Sequence, residues 1–430
     1  MASFAGVAGR ALTGVAVLAL SPVAGLAALA GTAMVAGEPV AFAVAGLAVF
    51  AWVFLLGLLL CVPRPRPAWG RRLRAGAVLA VEGMVVWQVS SATLTSTPGS
   101  TTQGPGPGSA QGPGAGVPAE VAGQREWRLP TGSRLAYVRV APKRVTRPEP
   151  VVFLHGGPGV GDLAGDAAFF GRLAAAGFQV YVYDQLGAGR SARLADPAGY
   201  GLDRDVADLE AIRRAVRAER LNLVARDHGA RLAAAYLADH PDRVSRAVLL
   251  SPAGLAPGRA ADRSVAAAFP LGPGRWPDPR TLAVSTLLQV DPRAAHAFAG
   301  DRGLDAHLTL TLRRRPADPC LERPGQAGTP GHGGYVALAG RPVPGSLRSD
   351  LARVTAPVLI VKGACDTQSW SAAGEYRRAL PEARLAYVGD GATASGHGNA
   401  HLGVLRAFLT DGDVPAYEGD GPPPGYRGPA

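Results

Sequence analysis

The sequence predicts an α/β domain with a mostly parallel sheet, anchored in a membrane by three apolar helices that precede it. Residues 1–94 contain three apolar stretches, each long enough to cross a bilayer. Residues 95–124 are rich in Pro, Gly and Ser, which is typical of an extended linker. From residue 125 to about residue 410, short Val- and Leu-rich segments alternate with helical ones. This alternation favours parallel strands joined by helices.

The apolar stretches run from about Leu12 to Val35, Val40 to Val62 and Ala75 to Leu94. The loop between the second and third is rich in arginine, and short loops of this kind tend to stay in the cytoplasm: Arg64, Arg66, Arg71, Arg72 and Arg74. We therefore expect a multi-pass protein of the cell membrane with everything after Leu94 on the extracytoplasmic side. A cleaved signal peptide over the first stretch is the alternative, but two further apolar stretches follow it.

The formal charge of +11 raises the question of an anionic partner. The arginines are scattered among acidic residues without the interleaved aromatic residues of a nucleic-acid groove, so no nucleic-acid partner is expected. Only the loop from Arg64 to Arg74 has the pattern of a cluster that faces lipid headgroups. The expected partner is the lipid membrane, which the apolar N-terminal helices would enter.

Cys61 lies in the second apolar stretch, which leaves Cys320 and Cys365 outside the membrane. An extracytoplasmic position permits a disulfide between these two, but the sequence does not require one, and we expect free thiols. The tail, residues 411–430, is rich in Pro and Gly. We expect it to follow the surface of the domain or to be disordered.

The segments that predict strands follow a clear order. EWRL and RLAYVRVA have the pattern of an antiparallel opening pair, and six later segments have that of buried parallel strands: VVFLHG, FQVYVYD, LNLVA, RAVLLSP, PVLIVKG and RLAYVGD. Ligands of such sheets bind beyond the carboxyl ends of the strands. The chemistry is therefore expected where these segments end.

The first strand end carries a glycine-rich turn, HGGPG, which begins at His155 and contains Gly156 and Gly157. Glycines let the backbone turn sharply and present bare N–H groups, which can stabilise an oxyanion. A phosphate-binding loop is excluded because no Lys-Ser or Lys-Thr pair follows. This turn is the predicted oxyanion loop.

HGGPG together with DQLGAGRS after the next strand resembles the proline iminopeptidase branch of the α/β-hydrolase superfamily. The resemblance covers most of residues 125–410 and implies the α/β-hydrolase fold, with helices on both faces of the sheet. It also implies a lid inserted at about residues 253–350. Trp276 and Tyr335 are the lid aromatic residues best suited to touch a substrate, although lid aromatics are more often simply packed.

The nucleophile position departs from that branch. The superfamily carries a G-x-S-x-G turn there, whereas this chain has Ala225-Arg226-Asp227-His228-Gly229. An aspartate at this point resembles epoxide hydrolases and haloalkane or fluoroacetate dehalogenases, whose carboxylate attacks a saturated carbon to give an alkyl ester. Arg231 resembles the carboxylate-binding arginine of the fluoroacetate dehalogenases, with an ion-pairing or surface role as the alternative.

A catalytic acid and a base complete the set that the resemblance implies. Asp366 follows the PVLIVKG strand in a G-x-x-D turn and would orient the histidine, and His397 would be the general base. His401 is an alternative base. The spacing of the two histidines also suits a metal pair, but no Glu of an H-E-x-x-H motif stands between them, so no metal is expected.

The functional prediction is a hydrolase that acts on a small molecule through Asp227, Asp366 and His397, without a cofactor. The backbone N–H groups of Gly156, Gly157 and His228 are the candidate oxyanion donors. A peptidase or esterase like the proline iminopeptidases remains an alternative because the oxyanion loop is theirs. A binding module without catalysis is another, because both the nucleophile turn and the histidine loop depart from the superfamily's pattern.

Overall fold

A computed structural model describes residues 4–62, 67–94, 121–157, 161–255, 258–259, 278–313, 333–339, 342–366, 368–389 and 398–429. The helices of this part of the chain are α1 Phe4–Ala33, α2 Pro39–Cys61, α3 Ala68–Leu94, α4 Leu163–Phe170, α5 Leu202–Ala215, α6 His228–Asp239, α7 Pro279–Val290, α8 Pro292–Arg313, α9 Gly334–Ala339, α10 Leu347–Asp350, α11 Trp370–Ala379 and α12 Asn399–Leu409. Its strands are β1 Gln124–Arg128, β2 Arg134–Val140, β3 Val151–Leu154, β4 Val180–Tyr183, β5 Leu221–Arg226, β6 Val244–Leu250, β7 Gly258–Arg259, β8 Pro342–Val343, β9 Val358–Gly363 and β10 Ala383–Val388.

The chain divides into two compact units. Unit 1 comprises Met1–Ala110 and Phe269–Leu304, and unit 2 comprises Gln111–Ala268 and Asp305–Ala430. The predicted lid, residues 253–350, therefore contributes to both units. Its helix α7 and the first part of α8 belong to the unit of the apolar helices.

Helices α1, α2 and α3 are long and apolar enough to cross a membrane, with candidate spans of 25, 23 and 27 residues. The third begins at Ala68, earlier than expected, because arginine favours helix and its long stem can lie along an apolar surface. Arg74 donates hydrogen bonds to the carbonyls of Val62 and Leu59, at 3.0 and 2.7 Å, at the carboxyl end of α2. These bonds satisfy carbonyls that the helix end leaves without an internal partner.

Small residues let α1 and α2 pack closely. A Cβ atom at Gly25 would lie 2.9 Å from the Cβ atom of Phe50, and one at Gly57 would lie 2.7 Å from the Cγ atom of Leu18. Both distances are shorter than van der Waals contact, so glycine is required for this approach. Close packing of this kind holds apolar helices together where no hydrophobic effect acts between them.

Unit 2 is built on an eight-stranded sheet with the order β1-β2-β4-β3-β5-β6-β9-β10. The pairs β1–β2 and β2–β4 are antiparallel, and all the others in this sheet are parallel. The predicted antiparallel opening and the mostly parallel sheet are both confirmed. This is the α/β-hydrolase fold.

Alternate residues of the central strands pack into two separate hydrophobic cores, one on each face of the sheet. Val152 and Leu154 of β3 pack with apolar residues of α5, α6 and α11. Val151 and Phe153 pack on the other face with residues of α4 and α12. Burial on both faces explains why these strands are continuously apolar rather than alternating with polar residues. The sheet thereby holds the carboxyl ends of β3, β5 and β9 at the same edge, with β6 between β5 and β9.

The Pro- and Gly-rich tail follows the surface of unit 2 through backbone hydrogen bonds. Tyr417 N–H donates to the carbonyl of Leu385 at 2.6 Å, and Arg427 N–H donates to the carbonyl of Ala364 at 2.8 Å. The ring of Trp370 lies edge-on to that of Tyr426, with 5.2 Å between their centroids. The tail is thus fixed against the turn that follows β9.

Candidate active site

Asp227 lies on a sharp turn between β5 and α6. Its backbone has φ 51° and ψ −114°, a conformation that L-residues rarely adopt and that costs about 1–3 kcal/mol. Three backbone hydrogen bonds hold it: Asp227 N–H donates to Leu250, and its carbonyl accepts from Ala230 and Ala253, at 3.0, 3.1 and 3.1 Å. A strained strand-to-helix turn of this kind projects the side chain into a site.

Two glycines make room for this turn. A Cβ atom at Gly156 would lie 2.7 Å from the Cβ atom of Asp227, and one at Gly229 would lie 2.2 Å from the carbonyl oxygen of Leu154. Neither clash can be relieved by rotating a flexible side chain. The glycines at the oxyanion loop and after Asp227 are therefore required by packing.

Each carboxylate oxygen of Asp227 accepts a hydrogen bond. The backbone N–H of Gly157 donates to Oδ2 at 2.9 Å, and the side-chain amide of Gln368 donates to Oδ1 at 2.6 Å. Gly157 has φ 119°, which only glycine adopts readily. The amide of the predicted oxyanion loop is therefore directed at the predicted nucleophile itself.

Asp366 is paired with a buried lysine at the end of β9. Lys362 Nζ lies 2.7 Å from Asp366 Oδ2, with both side chains buried, and Nζ also donates to the backbone carbonyl of Gln368 at 2.8 Å. Burial lowers the pKa of Lys362, while the charge of Asp366 opposes that shift. Lys362 and Gln368 thus connect the predicted acid to Asp227.

Neither Lys362 nor Gln368 was predicted as a site residue. The signal for the lysine is its position inside an otherwise apolar strand, VLIVKG, where a charge is tolerated only with a partner. Gln368 carries no comparable signal, since an amide in a loop is ordinary. Its role becomes visible only in the fold, where the segment after β9 reaches the turn after β5.

The tail supports Gln368 from outside. Tyr426 Oη donates to the carbonyl of Gln368 at 3.2 Å, and Lys362 Nζ lies 5.7 Å from the centre of the Tyr426 ring. The same carbonyl therefore accepts from both Lys362 and Tyr426. The tail thereby helps to set the position of the amide that contacts Asp227.

The DQLGAGRS motif positions the oxyanion loop. Gln185 N–H donates to His155 Nε2 at 2.8 Å, and the side-chain amide of Gln185 donates to the carbonyl of His155, also at 2.8 Å. Because Nε2 accepts, the proton of this ring belongs on Nδ1, which donates to the carbonyl of Gly156 at 2.9 Å. The HGGPG loop is thus held in place by the DQLGAGRS motif.

Asp184 of the same motif is almost fully buried. Burial raises the pKa of its carboxyl from 3.8 to about 7, against the opposing effect of the hydrogen bond from Arg190 N–H. The charge of Asp166 contributes to the increase. The fold therefore holds a carboxyl that is uncharged below neutral pH.

His228 follows the nucleophile position, and its ring is buried. Neither ring nitrogen has a hydrogen-bond partner among the residues that the structure describes. Burial, with the charge of Arg231, lowers the pKa of His228 to about 3. The ring is therefore neutral, and only its backbone N–H remains a candidate oxyanion donor.

The remaining predicted residues have varied positions. Arg231 is buried and its Nε donates to the carbonyl of Gly254 at 2.7 Å, which directs that part of the guanidinium at the backbone after β6. Tyr335 in α9 is buried, with its ring centroid 5.6 Å from that of Tyr200. His401 lies in the first turn of α12 and is buried. Trp276 and His397 lie outside the described residues.

The expectation of free thiols is wrong for Cys365, which is disulfide-bonded. Cys61 is a free thiol, and Cys320 lies outside the described residues. A local sequence pattern does not reveal which cysteines the fold brings together, which is why the expectation failed. The bonded cysteine directly precedes Asp366 and thus restrains its turn.

In the described part of the chain, the site coincides neither with a group of metal ligands nor with the cavity that the structure contains. Within the described ranges, no three His, Cys, Asp or Glu side chains form a group that could hold a metal ion. A cavity of about 530 Å³ lies elsewhere and is lined by Pro130, Thr131, Ala207, Glu210, Ala211, Arg214, Ala215 and His240. None of these residues belongs to the candidate site, so the chemistry of the Asp227 turn defines it better than cavity size does.

Comparison with known proteins agrees with this fold. The family described as the α/β hydrolase fold matches residues 149–297. The chain is 38% identical over 109 residues to a proline iminopeptidase of Heyndrickxia coagulans, covering 25% of this chain and 36% of that protein. It is 36% identical over 103 residues to a proline iminopeptidase of Arabidopsis thaliana, covering 23% of this chain and 26% of that protein. The chain thus spans less than half the length of these relatives.

Similar solved structures cover a larger share of the chain at lower identity. The enol-lactonase of Burkholderia xenovorans LB400 matches with a TM-score of 0.48 and 19% identity, covering 67% of this chain and 98% of that one. The proline iminopeptidase of Mycobacterium smegmatis matches with a TM-score of 0.43 and 21% identity, covering 67% and 96%.

The tail contact gives a prediction for the turn after β9. Tyr426→Phe removes the hydroxyl that binds the Gln368 carbonyl and keeps the ring, so amide hydrogen exchange of residues 363–370 should accelerate several-fold, as expected for a bond worth about 1 kcal/mol. Tyr417→Phe is the matched control, since its hydroxyl bonds to Gly421 within the tail. Mass-spectrometric exchange checks both variants. Equal exchange of this turn in both would refute a role of the tail in positioning Gln368.

Asp184 gives a prediction for stability against pH. Its folded-state pKa of about 7 exceeds the ordinary 3.8, so its contribution to the free energy of unfolding falls as pH rises through that interval. Asp184→Asn should therefore increase the free energy of unfolding more at pH 8 than at pH 5, and the two gains should differ by on the order of a few kcal/mol. The midpoint of thermal unfolding, measured at both pH values, should rise accordingly.

The control for this titration is Asp239→Asn, which neutralises an exposed carboxylate at the end of α6. Its unfolding midpoint should change little at either pH. A gain for Asp184→Asn that is the same at pH 5 and pH 8 would contradict the assigned protonation of Asp184.

Proposed function

We propose that this chain is a membrane-anchored hydrolase whose nucleophile is Asp227 and whose substrate is a small molecule with an electrophilic saturated carbon, such as an epoxide or an alkyl halide. The observation that carries the proposal is the strained turn at Asp227 with its carboxylate facing the Gly157 amide. Such strain persists only where the surrounding structure enforces it. A carboxylate held there is poised to attack carbon.

In the first step, one carboxylate oxygen of Asp227 attacks the saturated carbon, and the carbon–oxygen bond of an epoxide breaks. The product is an alkyl ester of Asp227 that carries an alkoxide, which takes a proton from water; with an alkyl halide the carbon–halogen bond breaks and halide leaves. Oδ1 accepts from the side-chain amide of Gln368, whereas Oδ2 accepts from the backbone N–H of Gly157. A side-chain amide can move away more easily than a loop backbone, so Oδ1 is the attacking atom in this proposal.

In the second step, water attacks the carbonyl carbon of the ester and transfers its proton to the base, which the resemblance assigns to His397 with His401 as the alternative. Negative charge then develops on Oδ2, because Oδ1 is esterified. The Gly157 N–H already donates to Oδ2 at 2.9 Å and would stabilise this charge. The bond between Cγ and Oδ1 then breaks, the leaving alkoxide takes back the proton from the base to give the diol, and the carboxylate of Asp227 is restored with one oxygen from water.

This chemistry explains why the oxyanion amide faces the nucleophile. In a serine enzyme the oxyanion forms on the substrate, so the amide must point at the substrate's carbonyl. With an aspartate nucleophile the ester that is hydrolysed belongs to the enzyme, and its oxyanion forms on Asp227. The contact between Gly157 and Asp227 therefore favours an alkyl-ester mechanism over peptide cleavage.

Two alternatives have support of their own. The partial similarity to proline iminopeptidases favours a peptidase or esterase, but attack of Asp227 on an amide would form an anhydride and expel a poor leaving group. A non-catalytic binding module is favoured by the internal hydrogen bonds of Asp227 and by the pairing of Asp366 with Lys362. The trapping experiment below separates all three.

The extracytoplasmic position of unit 2 is also part of this proposal. The disulfide at Cys365 supports it, because disulfides persist mainly in oxidising compartments. The arginines between α2 and α3 support it as well, since arginine-rich loops tend to remain in the cytoplasm.

Trapping the ester tests the mechanism. The full chain with His397→Ala, incubated with epoxides, haloalkanes, haloacids and aminoacyl arylamides, should gain the mass of one epoxide or alkyl group, because the ester forms and cannot be hydrolysed. Intact mass spectrometry measures the gain. His401→Ala shows which histidine is the base.

Asp227→Asn in the same background is the control and should abolish the mass gain. An adduct with the arylamide, or one that survives in Asp227→Asn, would favour the peptidase or a different nucleophile. No adduct with any substrate, together with no turnover by the unchanged chain, would favour the binding module.

A further inference from the structure

The tail contacts unit 2 with a regular spacing. Between residues 411 and 429, the non-glycine residues that are not exposed are Val414, Tyr417, Pro423 and Tyr426, which lie three or six residues apart. A polyproline II segment has three residues per turn, so one of its faces meets a surface at this spacing. The composition of the tail, with three consecutive prolines, favours that backbone. The tail therefore has the pattern of a proline-rich peptide bound along a surface.

A tight turn brings the end of the tail back onto the domain. The backbone N–H of Tyr426 donates to the carbonyl of Pro423 at 3.1 Å, and Gly425 has φ 85°. Proline at the second position and glycine at the third are the residues that a turn of this kind favours. The sequence Pro423-Pro424-Gly425-Tyr426 thus encodes the turn, which lets two tyrosines nine residues apart reach the same side chain.

That side chain is Trp370, the first residue of α11. Its ring lies edge-on to those of Tyr417 and Tyr426, with centroid distances of 5.4 and 5.2 Å. Its indole N–H donates to the carbonyl of Asp420 at 3.2 Å, and its backbone N–H donates to the carbonyl of Pro429 at 2.8 Å. Edge-on ring contacts and a satisfied indole N–H are what a buried tryptophan prefers. Trp370 is the anchor of the tail.

Neighbouring groups bind the backbone of the tail. Arg377 of α11 donates to the carbonyl of Gly419 at 3.0 Å. The backbone N–H of Tyr417 donates at 2.6 Å to the carbonyl of Leu385 in β10, which is the last strand of the sheet. Peptide-recognition domains combine backbone hydrogen bonds at a sheet edge with aromatic contacts in the same way. The Trp370 surface is formed by Trp370, Arg377, Leu385 and Tyr387.

The last residues of the tail lie on the turn after β9, residues 363–370. The backbone N–H of Arg427 donates to the carbonyl of Ala364 at 2.8 Å. A Cβ atom at Gly428 would lie 2.6 Å from the carbonyl oxygen of Asp366, so glycine is required for this approach. The Tyr426 hydroxyl donates to the carbonyl of Gln368. The tail thus contacts both residues of this turn that belong to the candidate site.

We infer that the Trp370 surface is a recognition site for a proline-rich segment with two tyrosines nine residues apart, that the tail is its exchangeable ligand, and that this ligand must be bound for the turn after β9 to keep its geometry. The effect on turnover rests on the proposed function, whereas the recognition does not. Val414 is the one fully buried residue that the described tail contributes, so the tail can leave without opening the domain. The linker, residues 95–124, is also rich in proline but has no aromatic residue. The tyrosines therefore distinguish the ligand.

The first arm of the test measures recognition without catalysis. The full chain with Tyr417→Ala and Tyr426→Ala, the double-alanine chain, keeps the Trp370 surface intact. A fluorescent peptide of residues 412–429 should bind to it, which raises the anisotropy of the label. The same peptide with both tyrosines replaced by alanine should bind about tenfold more weakly or less, because both ring contacts are lost. A peptide of residues 101–118, of equal length from the linker, should also bind that weakly.

Two chains serve as controls for this binding. The unchanged chain should not bind the free peptide, because its own tail competes at an effective concentration on the order of millimolar. Glu418→Ala with Arg427→Ala changes two exposed side chains of the tail and leaves its tyrosines in place. This matched variant should behave as the unchanged chain does.

The second arm measures the turn after β9 by amide hydrogen exchange. Exchange of residues 363–370 should accelerate about tenfold or more in the double-alanine chain, since two ring contacts and one hydrogen bond are lost, and saturating peptide should restore it. In the unchanged chain, residues 414–428 and 363–370 should open together with equal protection. That measurement needs no variant, so it tests the coupling even where the double-alanine chain does not fold.

The third arm measures catalysis. In the His397→Ala background, ester formation with the epoxide that gives an adduct should slow in the double-alanine chain and recover with the peptide of residues 412–429. The alanine peptide should not restore it.

The outcomes separate the inference from the proposed function. No binding of the tail peptide to a double-alanine chain that keeps its unfolding midpoint overturns the recognition site, as does equal binding of the alanine peptide. A tail that exchanges freely while the turn after β9 stays protected overturns the coupling. Peptide binding with restored protection, but no adduct in any chain, upholds the recognition site and overturns the Asp227 mechanism.

Discussion

The strained backbone at Asp227 is the constraint on which the catalytic unit depends. A positive φ at a residue with a Cβ atom is unfavourable, and three backbone hydrogen bonds keep it in place: one donated to β6, and two accepted from α6 and from the segment after β6. The same turn requires glycine at positions 156 and 229, because β3 and the oxyanion loop approach it within contact distance. A strand order that separated β3, β5 and β6 would release the turn.

Polar side chains around this turn are linked in a line from Asp227 to Asp366. The carboxylate of Asp227 accepts a hydrogen bond from the side-chain amide of Gln368. The backbone carbonyl of Gln368 accepts one from Lys362, and Lys362 pairs with Asp366. Removing one partner of a buried ion pair commonly costs about 3–5 kcal/mol, so the line is stable only as a whole. The tail, through the Tyr426 hydroxyl, and the disulfide at Cys365 restrain the same turn from outside.

Local patterns were sufficient for the sheet but not for the contacts between distant residues. The apolar strands and the antiparallel opening followed from periodicity and turn residues, and the position of Asp227 followed from its place between a strand and a helix. Gln368 lies 141 residues from Asp227, and no local pattern links the two. The disulfide at Cys365 was not expected, and the sequence left open whether the tail follows the surface, for the same reason: both depend on which surfaces the fold brings together.

The central claim is that Asp227 forms a covalent ester, and isotope labelling tests it directly. A single turnover of the full chain in H₂¹⁸O, with enzyme in excess of epoxide, followed by mass analysis of the Asp227 peptide and the diol, locates the oxygen of water. The account predicts ¹⁸O in the Asp227 carboxylate and none in the first diol released, because water attacks the ester carbonyl. Label in the diol with none in Asp227 would contradict it, since water would then have attacked the substrate itself.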